Sequence, residues 1–301
     1  MTIAPAAPAA SATPAATDAE PASAALLRTL TRLTADLPGT DAERVATAAI
    51  RGAQQGGADD RAELRELATE EAAGLIGADP AYSRLAARLL TLAVREEAAG
   101  QGAVSFSASI ATGHREGLIA DRTAAFVRAH AERLDGLVEH AVADGADDRF
   151  GYFGLRTVHS RYLLRHPTTR QVIETPQHFL LRVACGLAAD ESARAVDEVT
   201  ELYALTSSLA YLPSSPTLFN SGTRHPQMSS CYLLDSPLDE LDSIYERYQE
   251  VARLSKHAGG IGLSYSRIRA RGSLIRGTNG HSNGIVPFLR TLDASVAAVN
   301  Q

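Results

Sequence analysis

Large apolar side chains recur at three- and four-residue steps through the first half of the chain, from Leu26 to about Val142. Tyr82, Leu85, Leu89 and Leu92 share one helical face, and Phe126, Leu134, Leu137 and Val138 share another. This is the period of the α-helix, and an apolar stripe must be buried against another stripe. The stretch therefore predicts packed helices. Thr40-Asp41-Ala42-Glu43 reads as a capping box that opens one of them. Asp59 to Ile76 reads as the next.

Ahead of these helices, residues 1–24 are Ala, Pro, Ser and Thr with no large apolar residue to offset the entropy of ordering, so a disordered tail is expected. This stretch has no basic n-region and no leucine-rich core, so it does not read as a signal peptide. The sequence holds no apolar run of membrane-spanning length. Two cysteines in 301 residues do not make a disulfide framework, and the cytoplasm is the expected compartment. A net charge of -6 argues against direct nucleic-acid binding. No His-x-His, HExxH or Cys-x-x-Cys pattern is present, so no metal site is expected within the chain.

The texture changes after the polar break at 145–148. Thr175-Pro176 is a helix start, with Thr as N-cap and Pro at the first helical position; the helix runs through Phe179, Leu180, Val183 and Leu187. Val199 to Leu212 reads as another. Ser229 to Leu234 reads as a short strand. Ile261, Leu263 and Tyr265 alternate with Gly262, Ser264 and Ser266, the period of a half-buried strand. Leu241 to Leu254 reads as a helix between the two, and a strand–helix–strand unit predicts parallel pairing. Arg271 to Gly284 reads as a loop, and a last helix runs from about Val286 to Gln301. The strands are too few to close a sheet, and the last helix has no stop signal, so the chain reads as interrupted.

Residue types alone leave the chemistry open. A lone cysteine in an apolar strand, as at Cys231, is more often a small buried hydrophobe. A redox role needs a second thiol, and Cys185 sits in an apolar helix where packing is the better reading. Glycines ahead of a strand, as in Ala258-Gly259-Gly260-Ile261-Gly262, let backbone approach a phosphate, yet the pattern is neither a Walker loop nor the dinucleotide fingerprint. Asp239, Lys256, Arg269 and Arg276 could hold a ribose and a triphosphate, or stand as solvated surface charges.

Three segments decide between these readings. Ser215-Pro-Thr-Leu-Phe-Asn-Ser-Gly-Thr with Pro-Gln-Met-Ser-Ser-Cys231, Ser255-Lys-His-Ala-Gly-Gly-Ile-Gly262, and Ile268-Arg-Ala-Arg-Gly-Ser with Gly277-Thr-Asn-Gly-His-Ser-Asn-Gly284 resemble, in family order, the large catalytic subunit of class I ribonucleotide reductases. FGYFGLRTVHSRYLLR and TPQHFLLRVA are similar to family signatures as well, and DPAYSRLAARLL carries a fainter likeness upstream. The Gly-Thr-Asn-Gly-x-Ser-Asn-Gly loop best matches the Ia-like branch, which uses a separate radical subunit. The resemblance implies a mainly α chain with α/β: a helical N-terminal domain, then the first strands and helices of a ten-stranded α/β barrel, truncated. The expected division is a tail to residue 24, a degenerate ATP-cone-like region over 25–100, a helical domain over 101–213 and the start of the barrel over 214–301.

The same resemblance implies roles. Cys231 is one of two thiols that reduce the ribose and end as a disulfide, its partner lying beyond Gln301. Ser215 and Ser230 contact the substrate nucleoside diphosphate, and backbone near Gly259 and Gly260 meets its phosphates. Asp239 binds the ribose of a deoxynucleoside triphosphate effector, with Glu240 and Leu241 beside it; Lys256 and Arg269 hold its phosphates; Arg276 and Gly277 belong to the loop that covers it. No cofactor is held by the chain itself beyond a dNTP or ATP effector with Mg2+. The radical comes from a metal-containing small (beta) subunit, thioredoxin or glutaredoxin is the reductant, and large subunits pair as homodimers.

Two departures qualify this. The family's radical cysteine, relay tyrosines and shuttle cysteines fall outside these residues, so the chain alone is expected to show no turnover. The Lys-Arg-Asp-Gly-like turn of an ATP cone is missing from the Ala/Pro-rich start, so overall control by ATP is in doubt. Other readings are a short form that binds nucleotides or heteromerises with a full-length subunit, a cobalamin-dependent reductase, and a plain helical interaction module.

Overall fold

The computed structural model describes residues 21–56, 60–188, 192–256 and 259–299. The expected tail lies outside them up to residue 20. Its last residues, Ala22 to Ala24, form the first turn of a helix instead, as strong helix formers placed after Pro21 can.

Two compact units divide the chain, one ending at Leu89 and the other beginning at Leu90. The first holds α1 (Ala22–Thr34), α2 (Ala42–Gly56), α3 (Arg61–Gly74) and the N-terminal half of α4 (Ala81–Gly100). Its core is the expected stripes: Leu26, Leu30, Val45, Leu64, Leu85 and Leu89 are all buried. The cap of α2 differs from the expected box. Asp41 Oδ1 accepts from the Arg44 N–H at 2.9 Å, while the Thr40 hydroxyl donates backwards to Leu37 O at 2.7 Å. A carboxylate one residue closer to the helix took the role. Arg88 donates to Leu33 O and to both carboxylate oxygens of Asp36, and its guanidinium holds the exposed Asp36 carboxyl down at about 2.

The second unit begins with α-helices packed around one buried member. They are α5 (Phe106–Arg115), α6 (Asp121–Ala129), α7 (Ala131–Ala143), α8 (Tyr152–Thr157), α9 (Pro176–Ala188) and α10 (Ala195–Ser207). In α9 every residue from Pro176 to Cys185 is buried. Thr175 caps it as expected, its Oγ1 accepting from the His178 N–H at 3.3 Å. α10 starts earlier and stops sooner than its apolar run. Leu209 takes φ +59°, and the N–H groups of Ala210 and Tyr211 turn back onto Leu205 O, which ends the helix at Ser207. α8 continues as a π turn over Val158–Tyr162.

The strand–helix–strand unit forms as read. β1 (Cys231–Leu234) pairs in parallel with β2 (Gly260–Leu263), Cys231 opposite Gly260, and α12 (Leu241–Ser255) is the crossover. Before β1 stands a short helix, α11 (Ser215–Asn220). The expected loop over 271–284 contains a small antiparallel hairpin, β3 (Leu274–Ile275) with β4 (Gly280–His281), which the Gly- and Asn-rich composition concealed. α13 (Val286–Val299) packs on α12 through Ile244, Tyr248, Phe288 and Leu292. The architecture is mainly helical, followed by the opening elements of an α/β layer with two strand pairs among the described residues.

Candidate active and effector sites

The first site forms where the helical layer meets β1. α11 carries Ser215 at its first position, exposed. The Tyr162 hydroxyl and Ser215 Oγ are hydrogen-bonded at 2.9 Å. The segment that follows is tied to α11 by its side chains: Thr217 Oγ1 donates to Met228 O at 3.2 Å, and the Asn220 amide donates to Gln227 O at 2.7 Å. These bonds bring the chain round to Ser229 and Ser230, both exposed, and into β1.

Cys231 is the first residue of β1, exposed and with a free thiol. This departs from the commoner buried role of a lone strand cysteine. Cys185 is also free but buried in α9, and burial pushes its thiol well above the ordinary range. The second cysteine therefore has the packing role expected of it.

In the second motif, His257 and Ala258 lie outside the described residues. The Gly260 N–H donates to Ser230 O at 2.8 Å as part of the strand pairing. It is committed to the ladder rather than open to a phosphate. The Gly259 N–H is held only by a long bond to Leu254 O, at 3.4 Å. A Cβ at Gly259 would stand 2.6 Å from Tyr232 Cε2, so this glycine makes room for the Tyr232 ring. At Gly260 a Cβ would find ordinary contact, 3.5 Å from Cys231 Sγ. The structure thus brings Ser230, Cys231 and Gly260 together across one strand pair.

The second site is a pocket of about 140 Å3 at the N-terminal end of α12, where Asp239, Glu240 and Leu241 meet Ile244, Ile268, Arg269, Ile275, Ser282 and Phe288. Arg269 Nε donates to Asp239 Oδ2 at 2.5 Å and Arg269 Nη2 to Asp239 O at 3.1 Å. Four of the expected effector residues therefore share one place. Such a volume is below the roughly 300–1,000 Å3 of ordinary ligand pockets. Arg276 and Gly277 sit in the exposed turn of the β3–β4 hairpin, next to the lining residue Ile275. Lys256 is not brought to the pocket. It follows the last residue of α12 while Leu241 is the first, and helical rise separates the two by roughly 20 Å.

Among the described residues, no cluster of three His, Cys, Asp or Glu side chains could hold a metal ion, and no helix is long and apolar enough to cross a membrane.

Residues 148–226 match the family described as "Ribonucleotide reductase, all-alpha domain", and residues 229–301 match "Ribonucleotide reductase, barrel domain". The chain belongs to the ribonucleotide reductase family. The two ribonucleotide reductase matches meet between Pro226 and Ser229, where the Asn220 and Thr217 bonds turn the chain into β1. A ribonucleoside-diphosphate reductase large subunit of Arabidopsis thaliana is 40% identical over 248 residues, 79% of this chain and 29% of its own length. A large chain of the same name from Neurospora crassa is 39% identical over 245 residues, 80% and 25% of the respective lengths. A ribonucleoside-diphosphate reductase subunit alpha of Chlamydia trachomatis is 40% identical over 229 residues, 74% and 21%. The chain thus spans less than a third of the length of these curated relatives.

Tyr162, Gln227 and the buried Arg182–Glu174 pair, whose Arg182 Nη1 donates to Ser221 O just after α11, were not singled out by sequence reasoning, although they fix α11 and the segment after it. Tyr162, Arg182 and Gln227 lie inside the segments that carry the family likeness, which was the available signal.

Proposed function

We propose that this chain is the leading portion of the catalytic subunit of a class I ribonucleoside-diphosphate reductase, which reduces ribonucleoside diphosphates to 2′-deoxyribonucleoside diphosphates. The observation that carries the reading is the exposed free thiol of Cys231 at the head of β1, beside Ser230 and opposite Gly260, within the residues that match the barrel domain.

The chemistry fits a thiol. Hydroxide is a poor leaving group at the ribose 2′ carbon, so the family uses radical chemistry, in which a thiyl radical abstracts the 3′ hydrogen. Two thiols then supply two electrons and two protons: their S–H bonds break, one disulfide forms, the 2′ oxygen leaves as water and hydrogen takes its place. Cys231 supplies one of these thiols. Ser215 and Ser230 hold the substrate, and the Gly259 N–H, with its long bond, is the better placed of the two glycine amides to meet a phosphate. A separate small subunit supplies the radical from its metal site, and thioredoxin or glutaredoxin reduces the disulfide. The words "large subunit" and "large chain" in the relatives' names presuppose a smaller companion, which favours this over a cobalamin-dependent enzyme.

The Asp239–Arg269 pocket takes the sugar of a deoxynucleoside triphosphate effector bound with Mg2+. Arg276 and Gly277 belong to the loop over it. Residues 25–100 form a degenerate ATP-cone-like region, residues 101–213 the helical domain and 214–301 the start of the barrel. The enzyme is a cytoplasmic homodimer of large subunits. The test is Cys231→Ser in the assembled reductase: deoxynucleotide formation is expected to fall to background while effector binding stays unchanged. Retained turnover would remove Cys231 from the reaction.

A further inference from the structure

The short helix α11 is held at both ends by groups of the helical layer. At its start the Tyr162 hydroxyl bonds Ser215 Oγ at 2.9 Å, and the Tyr162 ring stacks on Phe219 at 4.6 Å between centroids and 22° between planes. One side chain thus fixes both the first residue and a later turn of the same helix. At its end, Arg182 Nη1 donates to Ser221 O at 2.6 Å, and the Ser221 hydroxyl donates to Val183 O at 2.8 Å. Arg182 is itself immobilised by Glu174, and both are buried. Tyr162 closes the π turn at 158–162, a backbone irregularity of a kind that recurs at functional sites.

Ser215 is exposed. A serine hydroxyl in water samples several rotamers. Here a half-buried, stacked ring selects one of them before any ligand arrives, which lowers the ordering cost of binding.

We propose that Tyr162 is a positioning residue of the substrate site, orienting the Ser215 hydroxyl toward the nucleoside diphosphate while Arg182 holds the far end of the same helix. This rests on the reading of Ser215 as a substrate contact. Tyr162 acts through Ser215 and touches no reacting atom.

The experiment compares Tyr162→Phe, Ser215→Ala and the double variant in the assembled reductase, with cytidine diphosphate as substrate and effector saturating. Tyr162→Phe keeps the ring stack and loses only the hydroxyl. Each single variant is expected to raise KM by roughly 2- to 10-fold, the range of one neutral hydrogen bond, with kcat, melting temperature and effector half-saturation unchanged. The double variant is expected to be no worse than the worse single, since both changes break one coupled contact. Effects that multiply in the double variant, or an unchanged KM in Tyr162→Phe beside a raised KM in Ser215→Ala, overturn the inference alone. A KM that rises together with loss of effector affinity and of melting temperature makes the role structural and overturns it too. An unchanged KM in Ser215→Ala removes the substrate reading of Ser215 and the inference with it.

Discussion

Arg182 and Glu174 form an ion pair that is closed to water on all sides, with Nε 2.9 Å from Oε2 and Nη2 3.0 Å from Oε1. The Leu164 N–H donates to Glu174 Oε1 at 2.7 Å, and the remaining guanidinium donors turn to carbonyls at the end of α11. A pair this deep holds only because its hydrogen bonds are satisfied. It links the loop before α9, α9 itself and α11, which carries Ser215.

Removing one partner leaves the other charge buried and unopposed. Glu174→Gln is expected to cost about 3–5 kcal/mol of stability, read by urea unfolding. The joint replacement Glu174→Leu with Arg182→Met should recover only part of that loss, because the Leu164 N–H and Ser221 O lose their partners. A Glu174→Gln protein as stable as the wild type would show that the pair is not closed to water.

The joint is also set by steric fit. A Cβ at Gly186 would lie 2.0 Å from the Gly222 nitrogen and 2.3 Å from Ser221 Oγ. The first obstacle is backbone, so no rotamer relieves it. Gly186→Ala is expected to destabilise by about 1–3 kcal/mol or more, and calorimetry would detect it as a lowered melting temperature.

These joints explain what sequence reasoning reached and what it did not. Stripes such as Tyr82, Leu85 and Leu89, the Thr175-Pro176 start and the Ile261, Leu263 alternation were legible because each is a local period or cap, although the strand stops at Leu263, short of Tyr265. The motif likeness is what made Cys231, Ser215 and Asp239 candidates. The Tyr162–Ser215 bond spans 53 residues and the Arg182–Ser221 bond 39, and no local pattern announces a partner so far away. That the ladder uses the Gly260 N–H was hidden for a similar reason, since only the register of β1 against β2 decides it. Leu209 was read as helical because its apolar character fits a stripe, while its φ of +59° is a property of the fold.

A pH effect follows from His178. It is buried, and its Nδ1 has no hydrogen-bond partner among the described residues. Burial, aided by Arg95 and opposed by Asp135, lowers its pKa from 6.5 to about 4. Between those values the unfolded chain binds the proton and the folded chain does not. Stability is therefore full above 6.5, falls as pH drops toward 4, and loses no more from this group below that. The loss is ~3 kcal/mol. His178→Leu should flatten this part of the stability-against-pH curve, and an unchanged slope would assign it to other groups.

The Asp239–Arg269 contact gives the effector reading a direct check. Asp239→Asn removes the charge facing Arg269 and one acceptor for a ribose hydroxyl. The expected result is a loss of deoxynucleoside triphosphate affinity of roughly 10-fold or more, measured by calorimetric titration. Unchanged affinity would place the effector elsewhere.

The contrast between the two sulfurs has a practical side. Cys185 is sealed inside α9 with its thiol held protonated, and Cys231 stands exposed on β1. Within these 301 residues a maleimide at neutral pH therefore addresses Cys231 and spares Cys185. Its rate of attachment becomes a gauge of occupancy: a nucleotide that covers the head of β1 slows labelling whether or not turnover occurs.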